Sequence, residues 1–414
     1  MTESVGKGEI YLFGAGTVAA LMIGGGTMPG LWTDSVLQVA FLVSAIPIIL
    51  AFHHRKIDLS VVLFLTFLVL IAFVQLLPLP RSLVELVRPA IFELPAGMEN
   101  QYLFASLSLG RTIDSAIYIA VLVVVSVCMF LLPRQHLYFL GYFLAAGFAF
   151  NVILSLIQYS ASFSVKLSPD EAYDMAAGAF ANRNHLAALI YMSIPFFVYF
   201  YIDDKYRVWS GLALAISLLV LLATGSRAGA ILAVIAVLAS YIVLSSRRHN
   251  TFRAVAGMAG ILFFLGMGLW GLQDSSYGLL QDRMRPEIAA TTLSAIEENW
   301  ALGTGYGTFP TVYQAYESAS SIGVQYINRA HNDYLEVALE GGILGAMAIA
   351  VYIIVIGAKL IRGNLNSKQK AAALGISFIL LHSLVDYPLR TMAIGVVFIY
   401  FNAMLFHRRG RARA

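Results

Sequence analysis

Charge is what this sequence has least of. Only 12% of its 414 residues are Asp, Glu, Lys or Arg, about half the share usual in a soluble domain, which is roughly 25%. With 59% hydrophobic residues and a mean hydropathy of +0.78, this excludes an ordinary soluble fold. Cysteine is nearly absent too. Cys128 stands alone inside an apolar run, so no intramolecular disulfide can form, and no Cys/His cluster has metal-ligand spacing. No basic stretch precedes the first apolar run near Ile10, which argues for a first membrane span rather than a cleaved signal peptide. No clear internal repeat is present, so the inverted-repeat pattern of many transporters is missing. The formal charge of +4 says little about nucleic acid, because the basic residues sit in short loops beside apolar runs; no nucleic-acid partner is expected.

What the chain has in quantity is continuous apolar runs near 20 residues. Runs of that length fit the hydrocarbon core of a bilayer. Only helices or closed barrels satisfy every backbone group in lipid, and unbroken rather than alternating hydrophobicity selects helices. The pattern predicts an all-α polytopic membrane protein, a single domain over 1–414, with about twelve spans. Their approximate limits are 9–29, 34–52, 59–79, 114–132, 137–160, 185–202, 208–224, 228–245, 254–272, 333–358, 371–387 and 391–407. Alternate connections hold 17 of the 27 basic residues, among them Arg55, Lys56, Arg134, Lys205, Arg207 and the Arg-rich tail. The positive-inside rule makes that side, and both termini, cytoplasmic. The outer side then holds segments 80–113, 161–184 and the large loop 273–332. Loops this long are usually functional or partly helical. Within the last, 286–299 is predicted to be an amphipathic helix lying on the membrane, with Ile288, Leu293 and Ile296 down.

The residues able to do chemistry gather on that outer side. In Arg329-Ala330-His331-Asn332, a histidine and an arginine stand where an apolar helix begins. Asp333, with Glu336 three residues on, reads as a capping box that would fix His331 at the water–lipid boundary. His331 there is either a general base or an interfacial histidine bonded to water. Arg227, in Thr224-Gly225-Ser226-Arg227-Ala228-Gly229, either grips phosphate with its planar fork beside a helix N-terminus or snorkels to headgroups. Arg183 opens another outer helix, with Asn184 as its expected cap. Arg285 opens the surface helix, and either could be a solvated loop charge. His382 and Asp386 share a helical face by their spacing. Asp386 and Arg390 read first as a pair locking helix ends, and second as a wall of the outer site. Gly303, Gly305 and Gly307 are no nucleotide fingerprint, since no βαβ unit surrounds them; they read as a loop turn.

His331-Asn332, followed after nine residues by Gly342-Ile343-Leu344-Gly345, resembles the signature of bacterial O-antigen ligases and related polysaccharide polymerases. The Gly-Ser-Arg-Ala-Gly stretch at 225–229, Asn182-Arg183-Asn184-His185, and Gly303-Thr304-Gly305-Tyr306-Gly307-Thr308-Phe309 look like the same superfamily. The resemblance is strongest over 180–345.

What the resemblance implies is a metal-independent, inverting membrane glycosyltransferase of GT-C type in the bacterial inner membrane, with its active site periplasmic and no cofactor. The donor would be a glycan on undecaprenyl diphosphate, and the acceptor either a sugar of the lipid A core or another lipid-linked glycan. Membrane lipids, and other polysaccharide assembly proteins, would be its neighbours. By motif position His331 matches the essential histidine, and Arg227 and Arg285 match diphosphate-handling arginines. Arg183 and the segment 382–390 look more like exopolysaccharide polymerases. Asn332, Arg329, His382, Asp386 and Arg390 are expected to support the site. Rival readings are a flippase or transporter for lipid-linked sugars, a protein O-oligosaccharyltransferase, and a non-catalytic scaffold.

Overall fold

Apolar runs bounded by Pro, Gly and charge become helices wherever the structure describes them. The computed structural model describes residues 7–28, 30–88, 102–165, 167, 175–203, 205–245, 260, 276–318, 326–362 and 364–407. In chain order the helices are α1 (Lys7–Ile23), α2 (Trp32–Phe52), α3 (Leu59–Val74), α4 (Arg81–Val87), α5 (Leu109–Leu131), α6 (Arg134–Ser160), α7 (Arg183–Ile202), α8 (Arg207–Ala223) and α9 (Arg227–Leu244). They continue with α10 (Ser276–Asn299), α11 (Phe309–Tyr316), α12 (Asp333–Ile361), α13 (Ser367–His382) and α14 (Met392–Phe406). A short antiparallel pair, β1 (Pro78–Pro80) and β2 (Tyr102–Phe104), sets Pro78 opposite Phe104.

Eleven of the twelve expected spans overlap helices, and the twelfth, 254–272, lies outside the described residues apart from 260. By length and composition, six helices can cross a membrane (α2, α5, α6, α7, α9 and α12), and four shorter apolar ones stand beside them (α1, α3, α8 and α14). α7 lies at the centre, packed on α8, α9 and α13, with Leu186 to Met192 almost wholly buried. α14 is enclosed by α1, α5 and α13. α12 runs along the edge, and large side chains such as Ile343, Met347 and Ile354 point away from the protein.

The connections expected on the outer side meet at one end of this bundle. Ala181 N donates to Gly25 O, Ala393 N to Gly24 O, and Leu107 N to Thr304 O. The surface-helix expectation needs correction. α10 starts earlier, at Ser276, and its apolar face covers protein. Ile288 is buried and Ile296 partly buried against Phe309, Val312, Tyr313 and Leu339, whereas Leu293 is exposed. α11 is a separate short helix in this loop, with Phe309, Val312 and Tyr313 buried along one face.

α12 is two helical pieces joined at Gly342, which has φ 59° and ψ −149°. A Cβ there would lie 2.4 Å from the backbone nitrogen of Gly303, whose own φ is +70°. Only glycine combines that dihedral with so close a backbone approach. The carbonyls near the break do not go unpaired. Leu339 O accepts from Thr304 N at 2.9 Å, and Glu340 O from Gly305 N at 3.0 Å and from Gln75 Nε2 at 2.6 Å. The glycine run 303–307 is thus a buried turn docked on α12.

Candidate functional site

His331 is held by the chain on both sides of it. Asn332 is the N-cap of α12, its side chain accepting from Tyr334 N at 3.0 Å and Leu335 N at 3.1 Å. The expected Asp333–Glu336 capping box does not form. Asp333 is already helical, and its carboxylate is drawn to Ser383 Oγ at 2.8 Å and Arg390 Nε at 3.4 Å. Upstream, Glu336 takes Arg329 Nη1 at 2.9 Å and Ala330 N at 3.0 Å. Between these clamps His331 has φ +49°, a left-handed conformation that costs a non-glycine residue about 1–3 kcal/mol. The surrounding bonds, including Asn332 Nδ2 to Leu384 O at 3.0 Å, fix it there.

The imidazole faces Asp386. Nδ1 of His331 lies 3.6 Å from Asp386 Oδ1, and Arg285 Nη2 lies 3.8 Å from Oδ2. Asn184 Nδ2 donates to Oδ2 at 2.5 Å, and Tyr387 N to Oδ1 at 2.9 Å. Two further histidines approach the same carboxylate, His185 Nε2 at 4.0 Å and His382 Nε2 at 3.9 Å. Both are fully buried, and none of their ring nitrogens has a hydrogen-bond partner among the described residues. The Tyr387 ring stands edge-on to His185 at 5.0 Å and to His331 at 5.1 Å. Arg285 also donates to Val385 O at 2.7 Å, which ties α10 to the α13–α14 connection. Asp386 is therefore a hub joining α7, α10, the start of α12 and the end of α13.

A second charged group adjoins it. The expected Asp386–Arg390 pair is absent. The 3-10 turn Pro388–Arg390 swings Arg390 onto the acidic face of α12, where Glu340 lies at 2.9 Å, Asp333 at 3.4 Å and Glu336 at 3.5 Å. One carboxylate four residues back does not compete with three preassembled ones. Burial alone would lower the Arg390 pKa; Glu336, Glu340 and Asp333 reverse this and raise it above its ordinary value. Arg329 completes the group, reaching Glu336 and donating to Thr27 O at 3.0 Å. Glu340 also accepts from Gly307 N at 2.9 Å and Phe309 N at 3.2 Å, so this group anchors the glycine turn.

The remaining arginines sit at neighbouring helix starts. Gly229 of α9 presses against Ala187 of α7, where a Cβ would lie 2.6 Å from that of Ala187. Arg227 and Arg183, each the first residue of its helix, therefore crown adjacent helices at the same end. Ser226 caps α9 by accepting from Gly229 N. Asn182 caps α7, not Asn184, whose side chain is committed to Asp386. Arg183 is half-buried with Nη1 on Met175 Sδ. The geometry thus brings together His331, Asn332, Arg285, His382 and Asp386. It gives Arg329 and Arg390 to the adjoining group and leaves Arg183 and Arg227 at the starts of α7 and α9, at the same end of the bundle.

Sequence reasoning missed His185, Asn184 and Tyr387 as part of the hub. The string Asn182-Arg183-Asn184-His185 carries the signal, since two polar side chains besides the arginine stand at the start of an apolar helix. It also missed Glu340 as an arginine partner, although Asp333, Glu336 and Glu340 recur at helical spacing on one face.

Chemically, the arrangement offers one partly accessible imidazole backed by a carboxylate, with guanidinium groups around it. Such a set can accept a proton and hold an anion.

Residues 212–350 match the family described as O-antigen ligase. The match supports the O-antigen ligase and polymerase-like superfamily. It runs from within α8 to the second piece of α12 and includes Arg227, Arg285, Arg329 and His331. The apolar helices and this family point to a membrane protein, and the family points to glycan transfer in polysaccharide assembly by a glycosyltransferase-like ligase or polymerase. No curated protein sequence matches the chain.

Proposed function

We propose that this chain transfers a glycan from undecaprenyl diphosphate to a sugar hydroxyl at the periplasmic face of the bacterial inner membrane, as a GT-C-type polymerase or ligase. The observation that carries this reading is the convergence of His331 and Arg285 on Asp386, within and beside the stretch matched to the O-antigen ligase family.

The reaction needs three things: a deprotonated acceptor, a fixed donor, and compensation for charge on the leaving diphosphate. With Nδ1 of His331 turned to Asp386, Nε2 is the atom left to take the acceptor proton. The acceptor oxygen bonds to the anomeric carbon while the carbon–phosphate oxygen bond breaks, and that electron pair leaves on the diphosphate. Direct attack inverts the anomeric centre. Asp386 keeps the imidazole oriented and stabilises it once protonated, as the carboxylate of a Ser-His-Asp triad does. Arg285, with Arg227 and Arg183 at the neighbouring helix starts, holds the diphosphate as preorganised cations.

The test is product formation by purified protein from a lipid diphosphate donor. His331→Ala and Arg285→Ala are expected to bind the membrane normally and form no product. A well-folded His331→Ala protein with normal product would remove the histidine from the mechanism. Arg227→Lys is expected to fail if that guanidinium grips phosphate with both arms. In cells, deletion that removes long polymer identifies a polymerase; polymer accumulating on its carrier identifies a ligase. Flux of lipid-linked glycan across vesicles without transfer would replace this reading with transport.

A further inference from the structure

A second cationic site lies at the far end of the bundle from His331. α14 starts beside the candidate site at Met392 and runs for 15 residues to Phe406, a rise of about 22 Å. There it meets a cavity of about 470 Å³ lined by Arg55, Lys56, Asp58, Arg134, His407 and the ring of Phe130, among others. The cavity is half-open and sits where the α2–α3 connection, the α5–α6 turn and the end of α14 come together. Three permanent cations face one carboxylate, Asp58. Among the described residues Arg55, Lys56 and Arg134 form no ion pair, although each lines the same space.

We propose that this cavity binds a phosphate group, chiefly that of an anionic phospholipid. Two planar guanidinium forks suit phosphate oxygens, and a basic pocket between helix ends is where such headgroups lodge. Its walls also carry Phe130, Phe406, Ile57 and Val61, which offer apolar surface to the glycerol and upper acyl carbons. That lining separates it from a purely solvated patch and favours an amphiphile over a free anion. Binding there is independent of the glycan-transfer reading, since no residue of the candidate site lines the cavity.

Native mass spectrometry of the full chain in detergent tests this, titrating phosphatidylglycerol against phosphatidylcholine. The wild type is expected to prefer phosphatidylglycerol. Arg134→Gln should weaken that preference about fivefold, as one cation near a headgroup is worth ~1 kcal/mol, and Arg55→Gln/Lys56→Gln/Arg134→Gln together should erase it. Arg207→Gln, a cation lost at a helix start on the same end but outside the cavity, should change nothing. Displacement of phosphatidylglycerol by millimolar inorganic phosphate would assign the site to phosphate itself; resistance to it would assign the site to the lipid. Absence of any preference in the wild type, or Arg207→Gln as damaging as Arg134→Gln, overturns the proposal. If the triple variant misfolds, the two single variants decide alone.

Discussion

Two buried charged groups stand side by side at one end of this protein, and they are built on opposite principles. Around Arg390, opposite charges are closely paired: three carboxylates of α12 face one guanidinium, Glu340 at 2.9 Å, and Arg329 meets Glu336 at 2.9 Å. Around Asp386, partners are present but loose. Four of its side-chain contacts span 3.6–4.0 Å, and imidazole nitrogens there lack hydrogen bonds among the described residues. A closely paired ion group suits holding a helix, a glycine turn and a connection in register. A loosely paired one, with a partly accessible histidine in a left-handed backbone, suits a site that waits for a ligand. Their adjacency lets the rigid group fix the geometry of the open one.

The comparison breaks most visibly at its centres. Arg390→Ala should strand buried carboxylates and cost about 3–5 kcal/mol of stability, read as a large drop in unfolding temperature in detergent and loss of folded yield. His331→Ala should instead leave unfolding unchanged while glycan transfer falls by about 10²–10⁴-fold, the usual contribution of a general base. If His331→Ala destabilises as Arg390→Ala does, the two groups are not different in kind. Gly342→Ala should cost about 1–3 kcal/mol from overpacking against Gly303, with activity falling in proportion to folded protein. His331→Gly sharpens the contrast further. It should be inactive yet about 1 kcal/mol more stable, because glycine adopts positive φ without strain. The smallest effect belongs to Arg81→Ala. Its 2.6 Å pair with Glu85 is half-exposed and of the surface kind, worth roughly 0–1 kcal/mol, so thermal unfolding should barely move.

How much of this was legible in the sequence follows the same divide. The helices were readable because bilayer thickness imposes a length on apolar runs, so α2, α5 and α12 announce themselves by composition. His331, Asn332, Arg285 and Asp386 were readable as candidates because polar groups at such helix ends need a reason to be there. What could not be read was partnership. Nothing in Arg390's neighbourhood along the chain distinguishes Asp386, four residues away, from Glu340, fifty residues away. The choice is made by a 3-10 turn that local sequence only hints at through Pro388. His185 was hidden for a similar reason: in a string headed by an arginine, a histidine on the buried face of α7 gives no sign of whom it meets. Caps were misread by one or two residues at Asn332 and Asn182, because several capping side chains stand in a row and tertiary bonds decide which stays local.

The break at Gly342 has an evolutionary consequence. A carbonyl freed from its helix near lipid is too costly to leave bare, and those of Leu339 and Glu340 are received by Thr304, Gly305 and Gln75. The bend and the glycine turn therefore stand or fall as one unit. In any descendant of this chain, a side chain gained at Gly342 must be matched by a shift at Gly303, and a straightened α12 would leave the turn with no seat. These positions should covary as tightly as two bases of a pair.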